Sequence, residues 1–205
     1  MIKHFLTTLL VPALLSGCAA PVNRHTATNY YQAGETALAQ GNLSHAREMF
    51  SRALINVRLG NMGPEAEGQV LAKLGRVYGN LCQYDDAEKA FTDAISDYST
   101  AFGEKSPRLF PTRMELAQFS YDVGRHEKAV AYFDQAFPFG IAVIEKADPG
   151  GYAAVMKDYA DALLRTGKAD LAKQALSRAA AVEGKESGAK LAKGSEYVRY
   201  PSKCN

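Results

Sequence analysis

Carboxylates, histidines and thiols are the side chains of this 205-residue chain that could do chemistry, and their spacing says of what kind. Asp85-Asp86 has the composition of an acid/base pair, yet it stands at a helix start, where carboxylates are held by the positive end of the helix dipole. Its expected role is capping rather than proton transfer. His25, His45 and His126 are too far apart in sequence to form a local ligand set, and the last two fall at helix-hairpin turns. No Gly-x-Ser-x-Gly elbow, phosphate loop or dinucleotide fingerprint occurs, and the glycines mark turns instead. The expectation is a chain without catalysis, metal or cofactor. Cys82 and Cys204 can pair as a disulfide if the chain matures in an oxidising compartment. The other reading, with Cys82 a small packing residue and Cys204 a free or intermolecular thiol, stays equally open.

The third thiol stands near the start. Lys3 supplies a positive beginning, and the run from Phe5 to Leu15 is apolar apart from Thr7, Thr8 and Pro12. That is the pattern of a secretory signal, too short to span a bilayer comfortably. Leu15-Ser16-Gly17-Cys18 resembles the lipobox of bacterial lipoproteins, against the alternative of an ordinary signal cut nearby. The resemblance implies removal of residues 1–17, lipidation of Cys18 and anchoring to a membrane by acyl chains. Ala19, where lipoproteins kept at the inner membrane often carry Asp, implies the outer membrane and a protein facing the periplasm. Pro21 to Asn29 is polar and without apolar periodicity, so residues 18–29 read as the lipidated cysteine and a short tether.

These side chains must be positioned by the remainder, which is 47% apolar, 22% charged and close to neutral at +2. Such a chain supports one ordinary core, and it lacks the basic excess that a nucleic-acid partner demands. From Tyr30 the apolar residues recur at helical spacing between regular breakers. One pattern occurs four times: Gly41, Ala46, Phe50, Ala53; then Cys82, Ala87, Phe91, Ala94; then Gly124, Ala129, Phe133, Ala136; then Gly167, Ala172, Leu176, Ala179. The spacing predicts paired helices over 30–40 and 44–59, 64–81 and 85–102, 107–123 and 126–146, and 149–166 and 168–182. Pro64, Pro107 and Pro149 share that period and stand where helices begin, two of them behind the capping residues Ser106 and Asp148. Pro138 is expected to kink the helix that contains it.

The pattern is similar to the tetratricopeptide repeat (TPR), in its long form of about 42 residues as in kinesin light chains. The resemblance covers residues 30–182 and implies an all-α, right-handed superhelical solenoid of four helix hairpins. It also implies a concave groove lined by the first helix of each pair. Carried onto this chain, the groove positions are Tyr31, Glu35 and Leu38; Lys73, Arg76 and Asn80; Met114, Gln118, Tyr121 and Asp122; and Lys157, Asp161 and Arg165. Aromatic residues beside a few charges suit an extended peptide or helix of a protein partner. The implied activity is that of a membrane-anchored scaffold for envelope assembly, secretion, pilus or cell-wall machinery. A glycan-binding module is the alternative if Tyr31, Tyr121, Lys73 and Arg76 form one pocket. Residues 183–205 form a tail in which Leu191, Tyr197 and Tyr200 either cover the last repeat or remain disordered.

Overall fold

The computed structural model describes residues 16–185 and 199–203. Eight α-helices form four consecutive hairpins: α1 (Ser16–Ala39) with α2 (Leu43–Leu59), α3 (Pro64–Asn80) with α4 (Tyr84–Phe102), α5 (Phe110–Asp122) with α6 (His126–Ala147), and α7 (Pro149–Arg165) with α8 (Ala169–Lys185). Among the described residues there is no strand.

One turn chemistry closes every hairpin. Gly41, Cys82, Gly124 and Gly167 all take the left-handed conformation, with φ of 72°, 61°, 78° and 76°. Each turn then repeats one pair of hydrogen bonds. In the first, Gly41 N–H donates to the Leu38 carbonyl at 3.0 Å and Asn42 N–H to the Ala37 carbonyl at 2.9 Å. The equivalent Gln83, Arg125 and Lys168 amides reach Tyr78, Ser120 and Leu163. This pairing satisfies the last carbonyls of a helix and reverses the chain. Asn42, Ser106 and Asp148 cap the elements that follow them, accepting from the amides of His45, Arg108 and Gly151. Cys82 adopts the left-handed geometry with a side chain present, and it is disulfide-bonded. Cys204 lies outside the described residues.

The recurrent small residues are where the helices touch. Ala46, Ala53, Ala87, Ala94, Ala129, Ala136 and Ala172 are completely buried, and Ala179 nearly so. Phe50, Phe91 and Phe133 fill the space between paired helices, the first two against Gly34 and Gly75, where a Cβ would stand only 2.7 and 2.8 Å from the rings. Burying each such ring is worth about 1.5–3 kcal/mol. Leu176 holds the same slot in the last hairpin and remains 44% exposed. The core separates into one cluster on α1–α4 and another on α5–α8, bridged by a third around Phe91, Leu116 and Phe119 that Tyr200 completes.

Three sequence expectations change. The segment read as a tether is helix: residues 20–29 belong to α1, Ala27 is 1% exposed, and Arg24 Nε donates to the Gly60 carbonyl at 2.7 Å. Pro21 lies 43 residues before Pro64 and so extends the proline series to the first hairpin. Helix also does not begin uniformly at Pro107, because Pro111 has no N–H to offer the Pro107 carbonyl. The chain makes a 3₁₀ turn over Pro107–Leu109 instead, and α5 starts at Phe110. The helix expected to contain Pro138 is present as α6, His126 to Ala147, with that residue inside it. Lastly, Tyr200 does not cover the last repeat: it is buried in the middle of the stack, with its ring against Gly79 and Phe119. Residues 1–15, Leu191 and Tyr197 lie outside the described residues.

Candidate partner-binding groove

The first helices α1, α3, α5 and α7 are linked by polar side chains at a spacing of 38–40 residues. Lys73 Nζ meets Glu35 Oε2 at 3.0 Å, linking α3 to α1. The Arg76 guanidinium takes both oxygens of Glu115 at 2.6 and 2.9 Å, linking α3 to α5. Gln118 Nε2 donates to Asp158 at 3.1 Å, and the Tyr121 hydroxyl to Asp161 at 3.1 Å, linking α5 to α7. Arg165 closes the row on Asp161 at 2.7 Å. The repeat period places the partners one step apart along the array, so every link but the Arg165–Asp161 pair, which lies within α7, crosses from one hairpin to the next.

A segment of the same chain lies across this row. Arg199 reaches Asp122 Oδ1 at 2.9 Å and Asp158 Oδ2 at 2.7 Å. The Tyr200 amide donates to Asp122 Oδ2 at 3.0 Å, its hydroxyl donates to Glu115 Oε1 at 2.7 Å, and its ring packs edge-on to Phe119 with 5.3 Å between centroids. The Pro201 carbonyl accepts from the Tyr84 hydroxyl at 2.7 Å, two residues from Cys82. The segment therefore passes from α7 over α5 to the turn between α3 and α4. Gly79 makes the ring's slot: a Cβ there would stand 2.6 Å from Tyr200 Cδ1.

Burial sets the protonation of this site. It raises the Asp158 carboxyl, while Arg199 and Gln118 pull the other way and the Asp122 charge adds to the rise. Burial, then the charges of Asp158 and Asp161, pushes the Tyr121 hydroxyl up to about 12. Burial and then Glu115 hold Tyr200 well above the ordinary phenol. Both tyrosines are hydrogen-bond donors at neutral pH. The hydrogen bond to Glu115 raises Arg76 further, keeping it a permanent cation.

Of the thirteen groove positions expected from the sequence, Glu35, Lys73, Arg76, Gln118, Tyr121, Asp122, Asp161 and Arg165 join this network. Asn80 turns back onto the Arg76 carbonyl at 2.8 Å. Tyr31 and Leu38 pack against the α1–α4 core, Tyr31 edge-on to Phe50. Met114 is a correction: it is 6% exposed and belongs to the α5–α8 core, and its neighbour Glu115 takes the groove position. Lys157 pairs with Glu183 of α8 at 2.6 Å, and Asp158 takes the position next to α5. Tyr31 lies within reach of the Glu35 and Arg76 charges, while Tyr121 bonds to Asp161 of α7. Sequence reading missed Glu115, Asp158, Arg199 and Tyr200. The first two were one residue from chosen positions, whereas the last two lie outside the repeat.

A second concavity of about 390 Å³ lies on the other side of the last hairpin, between α6, α7 and α8, with Phe137, Ile141, Met156, Tyr159 and Leu171 in its wall. No group of His, Cys, Asp and Glu able to hold a metal occurs among the described residues, and none of their helices is long and apolar enough to cross a membrane.

No protein-family model matches the chain, and no curated protein matches its sequence. Among solved structures it is similar to BtubC (BKLC) from P. vanneervenii, with a TM-score of 0.70 and 16% identity over 87% of this chain and 68% of that one. It is also similar to a putative kinesin light chain with nearly identical TPR-like repeats from Podosopora anserina, with a TM-score of 0.61 and 17% identity over 80% of this chain and 77% of that one. At that identity the likeness establishes the fold. The chain is a solenoid of TPR-like hairpins.

Proposed function

We propose that this TPR-like stack is a non-catalytic scaffold that binds an extended segment of another protein in the groove of its first helices. One observation carries the reading: the groove between α3, α5 and α7 already holds an extended stretch of chain, residues 199–201, through side chains and backbone alike. Stacked hairpins create concave surfaces of this kind, and peptide recognition reuses them. Lipidation of Cys18 and a place on the periplasmic face of the outer membrane complete the proposal, with service to an envelope assembly, secretion, pilus or cell-wall machine. The disulfide at Cys82 supports an oxidising compartment. With Cys18 taken by lipid, Cys204 is the thiol left to pair with Cys82 in a chain of three cysteines.

The test is photo-crosslinking in the native cell with probes at Lys73 and Arg165, groove positions outside the footprint of residues 199–201, and a control at the exposed Lys89 of α4. The expected outcome is one envelope protein captured from the groove and not from the control. Groove probes that capture nothing in a well-expressed chain remove the reading. Palmitate labelling that survives Cys18→Ser removes the anchor, and two free thiols on denatured, unreduced protein remove the Cys82–Cys204 pair.

A further inference from the structure

Residues 199–201 show what the groove selects, because their side chains and backbone each meet a polar partner on the first helices or on Tyr84. Asp122 and Asp158 have side chains 7% and 15% exposed, a costly place for two carboxylates unless a cation joins them. Arg76 takes Glu115, Arg165 takes Asp161, and Gln118 gives Asp122 and Asp158 a neutral amide, so the cation between those last two carboxylates is Arg199. Charge-assisted contact to two carboxylates is geometry that a guanidinium fits. One residue further, the slot over Gly79 admits a flat ring, and Glu115 waits at its end for a hydroxyl. A phenylalanine would fill the slot and leave Glu115 Oε1 with the Arg76 Nε–H alone, one hydrogen bond short. Backbone is read as well, at the Tyr200 amide and the Pro201 carbonyl.

Building on the groove reading above, we propose that this stretch is a receptor for an extended segment with arginine directly followed by tyrosine, and that Arg199-Tyr200-Pro201 is an internal ligand which a partner carrying that pair displaces. The segment is irregular backbone crossing three hairpins, the form in which repeat grooves take peptides. Being tethered, it competes at an effective concentration on the order of millimolar. A free partner segment therefore binds the intact chain weakly and an emptied groove well.

The experiment uses the full mature chain and a fluorescent peptide with the sequence of residues 196–203, read by anisotropy. Arg199→Ala with Tyr200→Ala empties the site in the same chain. Binding at least tenfold tighter to this variant than to wild type is expected, with loss of at least tenfold when the peptide's arginine becomes glutamate or its tyrosine becomes phenylalanine. No binding to a folded, emptied variant overturns the proposal, as does equal binding of the charge-reversed peptide. Should the double variant fail to fold, Arg199→Glu alone sets a carboxylate against Asp122 and Asp158 and so drives the whole segment, Tyr200 included, from the groove, and the same ordering of peptides is required. The two readings fail separately. A groove crosslink that excess peptide does not compete away leaves the scaffold standing and removes the internal ligand, whereas peptide binding without any cellular crosslink removes the scaffold reading alone.

Discussion

The middle of the stack and its last hairpin are built from the same repeat and finished differently. At the α3–α5 junction Phe119 is fully buried, ringed by Tyr84, Phe91 and Tyr200 at 5.3–6.1 Å. At the end, Leu171 and Leu176 are 47% and 44% exposed beside an open cleft. A repeat array buries its apolar faces only through neighbours, and the last unit has one neighbour fewer. Yet the one described piece of non-repeat chain beyond α8 serves the interior junction, where the core would otherwise separate into two halves. The difference teaches that residues 199–201 are placed by specific recognition and not by a general need to cover apolar surface.

The largest effect belongs to the junction. Phe119→Ala removes the ring on which Tyr84, Phe91 and Tyr200 all pack, and should cost about 3–5 kcal/mol in denaturant melts. A loss below about 1 kcal/mol would mean that the two halves do not depend on the bridge. Gly79→Ala comes next, at about 1–3 kcal/mol, since its Cβ would overlap the Tyr200 ring at 2.6 Å. Its more telling readout is trypsin cleavage after Arg199, which should rise severalfold as the ring is expelled. Unchanged cleavage with unchanged stability would break the assignment of Gly79 as the maker of the slot.

Most of the fold could be read because packing and turn chemistry recur with one period. Small residues at Ala46, Ala87, Ala129 and Ala172 and left-handed positions at Gly41, Cys82, Gly124 and Gly167 are physical requirements of a helix hairpin. Residues 20–29 of α1 were less legible, because Arg24 and Thr28 are polar although the helix face at Ala27 is buried; Pro21 was the available signal. In the groove, successive residues on a helix point about 100° apart, so a one-residue error exchanges a groove side chain for one on another face. Met114 for Glu115 and Lys157 for Asp158 are errors of that size. Arg199 and Tyr200 had no periodicity to reveal them, since their positions follow from contacts 41 to 121 residues away.

Acid should separate the groove from the second-helix side of the same junction. Glu88 on α4 would be raised by burial, but hydrogen bonds from Lys128 and Tyr132, the Lys128 charge and a hydrogen bond from Arg125 outweigh it and hold the carboxyl below its ordinary value. A depressed carboxyl stabilises above its unfolded pKa, near 4.3, and loses that contribution as pH falls through the lower folded value. Asp158 behaves in the opposite sense, being raised by burial, and Arg199 is what draws it back down. Seating of residues 199–201 is thus linked to Asp158 losing its proton, and weakens as pH falls through a pKa above the usual aspartate range. Amide exchange should show the Tyr200 N–H freed at higher pH than the α4–α6 contacts. Loss of both together would merge the two regions. Glu88→Gln should flatten the lower-pH transition by about 1 kcal/mol and leave the upper one in place.

The smallest effect tests the open end. Leu176→Glu puts a charge in the slot that Phe50, Phe91 and Phe133 fill elsewhere, and at those sites such a change would leave an unpaired charge in the core. At 44% exposure the carboxylate keeps its water, so the expected change is within about 0.5 kcal/mol, the range of an ordinary surface substitution. A cost above about 2 kcal/mol would show that something covers this face in solution, and the contrast between a finished middle and an unfinished end would then fail. A null result in the purified chain, joined by loss of function in the cell, would instead identify the last hairpin as a second surface on which partners act.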